Sequence, residues 1–231
     1  MNGRAIEERR KPAAGSGGFT LMETLVALCL GVLVIGGLAS FFRTQGQALK
    51  SREGVVEMHQ SLRAAMAVMI GELRMAGFNP LRRIPLGIAA AGSDSITFRL
   101  DRGSDRDGID NDGNGVRDDS DPGEKHIPNG TPEDPNEWIT YRLYGRGGET
   151  VLGRRSTRNG SFQPLAESVE SLRFVYYGDA AAIPMTAPVA DPGTIRSIGI
   201  VLKGRTAEPD PVTGKHRTFI LASRVSPWNL Q

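Results

Sequence analysis

The chain has a single cysteine, Cys29, so no intramolecular disulfide can form. Its fold must be held by an apolar core or by a bound metal. Histidine is scarce as well. His59, His126 and His216 lie far apart, and none falls in a Ser/His/Asp or metal-ligand spacing. There is no phosphate-binding glycine motif; Gly147-Gly148 reads as a turn. Aromatic residues make up 6% of the chain. Trp138, Tyr176 and Tyr177 sit in strand-like segments with no basic cluster between them, which reads as sheet packing rather than a base-stacking platform. Charge of one sign is also lacking. The net charge of +2 is carried by Arg4, Arg9, Arg10 and Lys11 against Glu7 and Glu8, which leaves 24 basic and 24 acidic residues elsewhere. That balance gives no global argument for nucleic acid or an anionic surface and leaves only a local patch open. Together these absences point away from an enzyme.

What is present is a long apolar run. Leu25 to Phe42 carries no charge and is long enough, as a helix, to cross a hydrocarbon core of about 30 Å. One carboxylate, Glu23, stands at its mouth behind Phe19-Thr20-Leu21-Met22, where a charge is costly and so points to function. Ahead of it are Gly17-Gly18 and the basic leader. Cys29 lies inside the run and reads as a small apolar residue facing lipid or a neighbouring helix. Positive charge before the run predicts a cytoplasmic N-terminus and an exported C-terminal part. An ordinary secretory signal cut after Gly37-Leu38-Ala39 is the alternative, but it leaves Gly18-Phe19 and Glu23 unexplained.

The stretch GFTLMETLVAL after a short basic leader closely resembles the class III signal of type IV prepilins and pseudopilins. The glycine before an aromatic residue, the glutamate five residues after it and the apolar run all match that family's spacing. The resemblance implies that prepilin peptidase cuts between Gly18 and Phe19 and that Phe19 is N-methylated. It also implies that Glu23 attracts the amino terminus of a neighbouring subunit during assembly. A carboxylate in a low-dielectric environment is very unfavourable unless paired, and an amine is its natural partner.

No proline interrupts the chain from Phe42 to Gly77. Val55, Leu62, Met66, Met69 and Leu73, with Met58 between, form a heptad-like stripe that predicts one helix packed on a sheet. Gly77 and Pro80 then give a stop signal. Arg52, Glu57, Gln60, Arg63, Glu72 and Arg74 fall mostly on other faces, and His59 on the exposed side. The segment ending Leu73-Arg74-Met75-Ala76-Gly77-Phe78 resembles the PilW group of minor pilins and, more loosely, the J-type pseudopilins of type II secretion. Major pilins commonly carry a proline within the apolar helix, and this chain has none there, which argues against a major pilin.

From Pro80 onward the pattern turns to short alternating segments. Candidate strands cover 95–100, 138–143, 150–155, 169–177, 195–202 and 217–225, separated by turns rich in Gly, Pro and Asp. Residues 180–193 and 206–214 read as surface loops. The expected fold is therefore α+β: a long N-terminal helix, membrane-spanning in its first half, on a mostly antiparallel sheet. The expected organisation is a leader at 1–18, a helix at 19–78 with its span at 19–42, and an exported β-rich domain at 79–231.

One segment carries binding chemistry. Residues 101–137 hold twelve acidic and four basic residues. Counted from Asp110, oxygen donors fall at Asp110, Asp112, Asn114, Asp118 and Asp121, with Gly115 at the bend and the Val116 carbonyl between. This is the spacing of a calcium loop, and Ca²⁺ is the expected ligand. Asp121 replaces the usual glutamate, no helix flanks the loop, and Asp105 and Asp107 are available as further ligands. The alternative is a solvated acidic loop.

The functional expectation is a non-enzymatic subunit that initiates or tips a type IV pilus-like filament. Its partners would be prepilin peptidase, other major and minor pilin subunits and the inner membrane, with the C-terminal domain periplasmic or extracellular. A J-type pseudopilin, or a membrane-anchored calcium-dependent adhesive or ligand-binding module, is the alternative.

Overall fold

A computed structural model describes residues 18–103, 128, 130–180, 183–211 and 213–230, with the backbone alone at Gln47 and Ala48. The chain forms two compact units, 1–49 and 50–231.

In the first unit a helix, α1 (Leu21–Arg74), begins at the third residue after Gly18. From Gly18 to Gln45 every residue except Gly31 is exposed. The most apolar 18-residue window of α1 has a mean hydropathy of 2.5 and none of it is buried, so it is long and apolar enough to cross a membrane. Its few hydroxyls are satisfied within the helix. Ser40 donates to the Gly36 carbonyl at 3.0 Å and Thr44 to the Ser40 carbonyl at 3.0 Å, so neither hydroxyl is left open to an apolar medium.

The second unit contains the core. Met58, Leu62, Met66, Met69 and Leu73 are all buried, as the stripe requires, and Ala65 and Ala76 join them. Helical backbone ends at Arg74 rather than 78. A turn continues to Gly77 (φ 79°), whose amide leaves the helix to donate to the Arg99 carbonyl at 2.9 Å. His59 is half-buried rather than exposed, with its ring centred 4.0 Å from that of Phe219.

Nine strands follow: β1 (Ile88–Ala91), β2 (Ser95–Arg99), β3 (Trp138–Arg146), β4 (Glu149–Arg155), β5 (Gln163–Ala166), β6 (Val169–Tyr177), β7 (Pro184–Met185), β8 (Ser197–Arg205) and β9 (Thr218–Val225). Every pair is antiparallel, and the fold class is α+β. The strands divide into two sheets rather than one, in the orders β1-β2-β3-β4-β5 and β7-β6-β8-β9. The sheets meet where Phe174 donates to the Ser93 carbonyl at 2.8 Å and the Tyr176 hydroxyl to the Gly92 carbonyl at 2.7 Å. The core draws on both, through Ile96, Phe98, Ile139, Tyr141 and Leu152 from one and Phe174, Tyr176, Ile198, Ile200 and Leu202 from the other.

Helix α1 reaches the four-stranded sheet at a glycine. A Cβ on Gly204 would stand 2.7 Å from Leu62 Cδ1, so only a glycine lets Leu62 settle onto β8. The loop expected at 206–214 is less solvated than its composition predicts. Asp210 is buried, and its carboxylate accepts from Ser51 Oγ of α1 at 3.0 Å and from Arg217 at 2.9 and 2.6 Å. The loop expected at 180–193 contains β7 and the start of a 3-10 turn, Pro192–Thr194.

Candidate functional site

The first site is the entry to α1. Gly18 and Phe19 are exposed, and Phe19 keeps 84% of its surface. Thr20 Oγ1 accepts from the Glu23 amide at 3.2 Å, and Glu23 Oε2 reaches back to the Thr20 amide at 3.5 Å. This reciprocal pair is a capping box, Thr-x-x-Glu, which satisfies two helix-end donors. Glu23 also places negative charge on the positive end of the helix. The sequence reading assigned Glu23 to a neighbouring subunit alone, whereas in the single chain it serves its own helix. The signal was present in the sequence as Thr20 three residues before Glu23.

The six expected calcium ligands, Asp110, Asp112, Asn114, Val116, Asp118 and Asp121, lie outside the described residues, as do Asp105 and Asp107. The root of the segment is described, and it differs from a solvated loop. Asp101, Asp134 and Glu137 are all buried. Glu137 Oε1 accepts from the Arg102 and Gly103 amides at 2.8 Å each, and Asp101 Oδ2 accepts from the Gly130 amide at 3.0 Å. The carboxylate of Glu137 thus pins the outgoing strand of the segment, and that of Asp101 the returning one. Burial pushes the Glu137 carboxyl up to about 7; the two backbone donors pull it down, and the Asp134 and Asp101 charges add to the rise. Among the described residues, no three His, Cys, Asp or Glu side chains converge to hold a metal.

A second polar cluster couples helix and sheet. Arg154 of β4 grips Glu72 of α1 through Nε at 3.0 Å and Nη2 at 2.7 Å, and its Nη2 also reaches Asn136 Oδ1 at 2.8 Å. The buried Tyr141 hydroxyl of β3 donates to the same Glu72 carboxylate. Burial, with the Glu72 charge beside it, holds the Tyr141 hydroxyl well above the ordinary tyrosine range, so it remains a donor. Glu72 therefore faces the sheet, although its helical position suggested another face.

On the outer face of the five-stranded sheet Trp138 packs against basic residues that the sequence did not place beside it. Arg99 opposite Trp138, Thr97 opposite Thr140, Thr140 opposite Arg155 and Arg142 opposite Gly153 all share this face. Trp138 lies under two guanidiniums, Arg99 at 5.5 Å and Arg158 at 5.1 Å. Phe162 likewise lies under Arg142 at 4.3 Å and Arg155 at 5.1 Å. Gly153 makes room for this arrangement, since a Cβ there would stand 2.6 Å from Tyr144 and 3.0 Å from Phe162. Basic residues do interleave with aromatic ones, but strand pairing brings them together from segments far apart in sequence. Tyr176 is buried as expected, and Tyr177 is half-buried under Arg224 at 3.8 Å.

No family profile matches the chain, and no curated protein sequence matches it. Among solved structures, a type IV-like pilin from Thermus thermophilus is similar at 11% identity and a TM-score of 0.41, over 75% of this chain and 98% of that one.

Proposed function

We propose that the chain is a structural subunit of a type IV pilus-like filament, of the minor pilin or pseudopilin kind. The observation that carries this reading is the start of α1: exposed Gly18-Phe19, the Thr20–Glu23 capping box, and an apolar stretch with none of its residues buried. Such a stretch needs either lipid or other helices around it. In this reading prepilin peptidase cuts after Gly18, Phe19 becomes the methylated N-terminus, and α1 holds the chain in the inner membrane with residues 50–231 exported. Assembly then exchanges lipid for the helices of neighbouring subunits. A carboxylate moved into that medium requires a cation, and the amine of the adjacent subunit at its Phe19 supplies one, so Glu23 sets the axial register. The priming or tip role, in a pilus or in a type II secretion pseudopilus, rests on the resemblance of the segment ending Leu73 to Phe78 to minor pilins and J-type pseudopilins. The exported part would use the loop from Asp110 to Asp121 to hold one Ca²⁺, which would replace repulsion among its carboxylates by attraction.

The test is the mass of the membrane-extracted protein. Phe19, N-methylated, is expected as its first residue. A soluble chain starting near Ser40 would overturn the reading in favour of a secretory signal.

A further inference from the structure

We propose that the outer face of β2, β3 and β4 binds single-stranded nucleic acid. Its working groups are Arg99, Arg142, Arg155 and Arg158 with the rings of Trp138 and Phe162. Among the described residues none of these four arginines has a carboxylate partner, whereas Arg146, Arg154, Arg196, Arg205 and Arg217 each have one. Four unpaired charges on one sheet face give charge complementarity to a polyanion. Each guanidinium lies over a ring, so its fork is ordered before any ligand arrives, and less entropy is lost on binding. Arg142 and Arg158 are exposed and can reach phosphate oxygens.

The flat groups decide among polyanions. An acidic polypeptide or polysaccharide needs the charges but gains little from planar groups beneath them. Nucleobases stack on guanidinium planes and on rings alike. A duplex hides its bases, and this face presents a sheet with no helix to enter a groove. The inference stands on this face alone and is independent of the filament reading.

The test uses the full chain in detergent and a labelled deoxythymidine oligonucleotide of about twenty residues. Binding is expected at low salt. With the two phosphate contacts that Arg142 and Arg158 can make, it should weaken roughly 7-fold between 50 and 200 mM salt. The double variant Arg142→Ala, Arg158→Ala should bind at least about tenfold more weakly, with the salt slope lowered by roughly 1.4. Phe162→Leu should weaken binding and leave the slope unchanged, because it removes a ring and no charge. No binding at 50 mM salt overturns the proposal. So does equal binding of a duplex, and so does equal binding of polyglutamate, which would make the face a site for acidic protein. Unchanged affinity in the double variant would assign binding to the basic leader and overturn it as well.

Discussion

Lowering the pH from about 8 to about 5 should make residues 50–231 more stable, with Glu137 as the cause. Its carboxyl rises from an ordinary 4.5 to about 7 in the fold, because burial and the Asp134 and Asp101 charges outweigh the two amides it accepts from. Between those values the folded chain holds a proton that the unfolded chain has released. Stability from this group is therefore complete below 4.5 and is lost as the pH rises through 7. At 1.36 kcal/mol per pH unit the difference is about 3 kcal/mol. In a unit of this size that corresponds to roughly 6–12 °C in melting temperature. The assay is thermal melting of residues 50–231, which hold the whole core, with chelator present across the pH range. Glu137→Gln keeps an acceptor for Arg102 and Gly103 and removes the titration, so its melting temperature should lack this component of the pH dependence. Wild type and variant changing in parallel would refute the reasoning, as would a wild type that gains stability from pH 5 to 7 relative to the variant.

Glu72→Ala should cost about 2–3 kcal/mol in denaturant unfolding, because it strips the acceptor from both the Arg154 guanidinium and the buried Tyr141 hydroxyl. Glu72→Gln should cost less, since one oxygen remains. Calcium at millimolar concentration should raise the melting temperature of residues 50–231 and magnesium should not; Asp112→Ala should abolish the gain while exposed Glu133→Ala keeps it. Indifference to calcium in melting and in calorimetry would leave a solvated loop. Glu23→Ala should lower incorporation into filaments while membrane insertion persists, and undiminished incorporation would remove its register role.

The pattern of the chain exposed the interior of the fold better than its margins. β2, β3, β6 and β8 alternate polar and apolar residues along much of their length, because one face of each is buried, whereas β4 buries Val151, Leu152 and Gly153 in succession. The three strands missed are all edges. β5 contains Pro164, β7 begins with Pro184, and β1 reads Ile-Ala-Ala-Ala. An edge strand tolerates proline and small residues because one side of its ladder is unpaired, so it loses the signature of a strand. The division into two sheets depends on which strands pair, and local alternation does not encode that. The same limit hid the polar sites. Glu72 lies 82 residues from Arg154 and 69 from Tyr141. Arg99 and Arg158 meet at Trp138 only through pairing and a turn. In the acidic segment composition left a solvated loop as the alternative to a calcium loop, yet Asp101, Asp134 and Glu137 at its ends are buried. Composition averages a segment over residues that the fold treats in opposite ways.

The capping box at Thr20 and Glu23 makes self-association a competition. In the proposed reading a subunit waiting in the membrane already has a use for its carboxylate, so it is not an open socket. In that reading a neighbour's amine competes with the Thr20 amide for the Glu23 carboxylate, a neutral-donor contact at 3.5 Å worth at most about 1 kcal/mol. That toll is small beside an ion pair formed away from water, yet it is large enough to disfavour loose encounters in which the amine stops short. The cap would thus act as a proofreading threshold: partners aligned to within contact distance exceed it, and misaligned ones fall back into lipid with their helix ends intact.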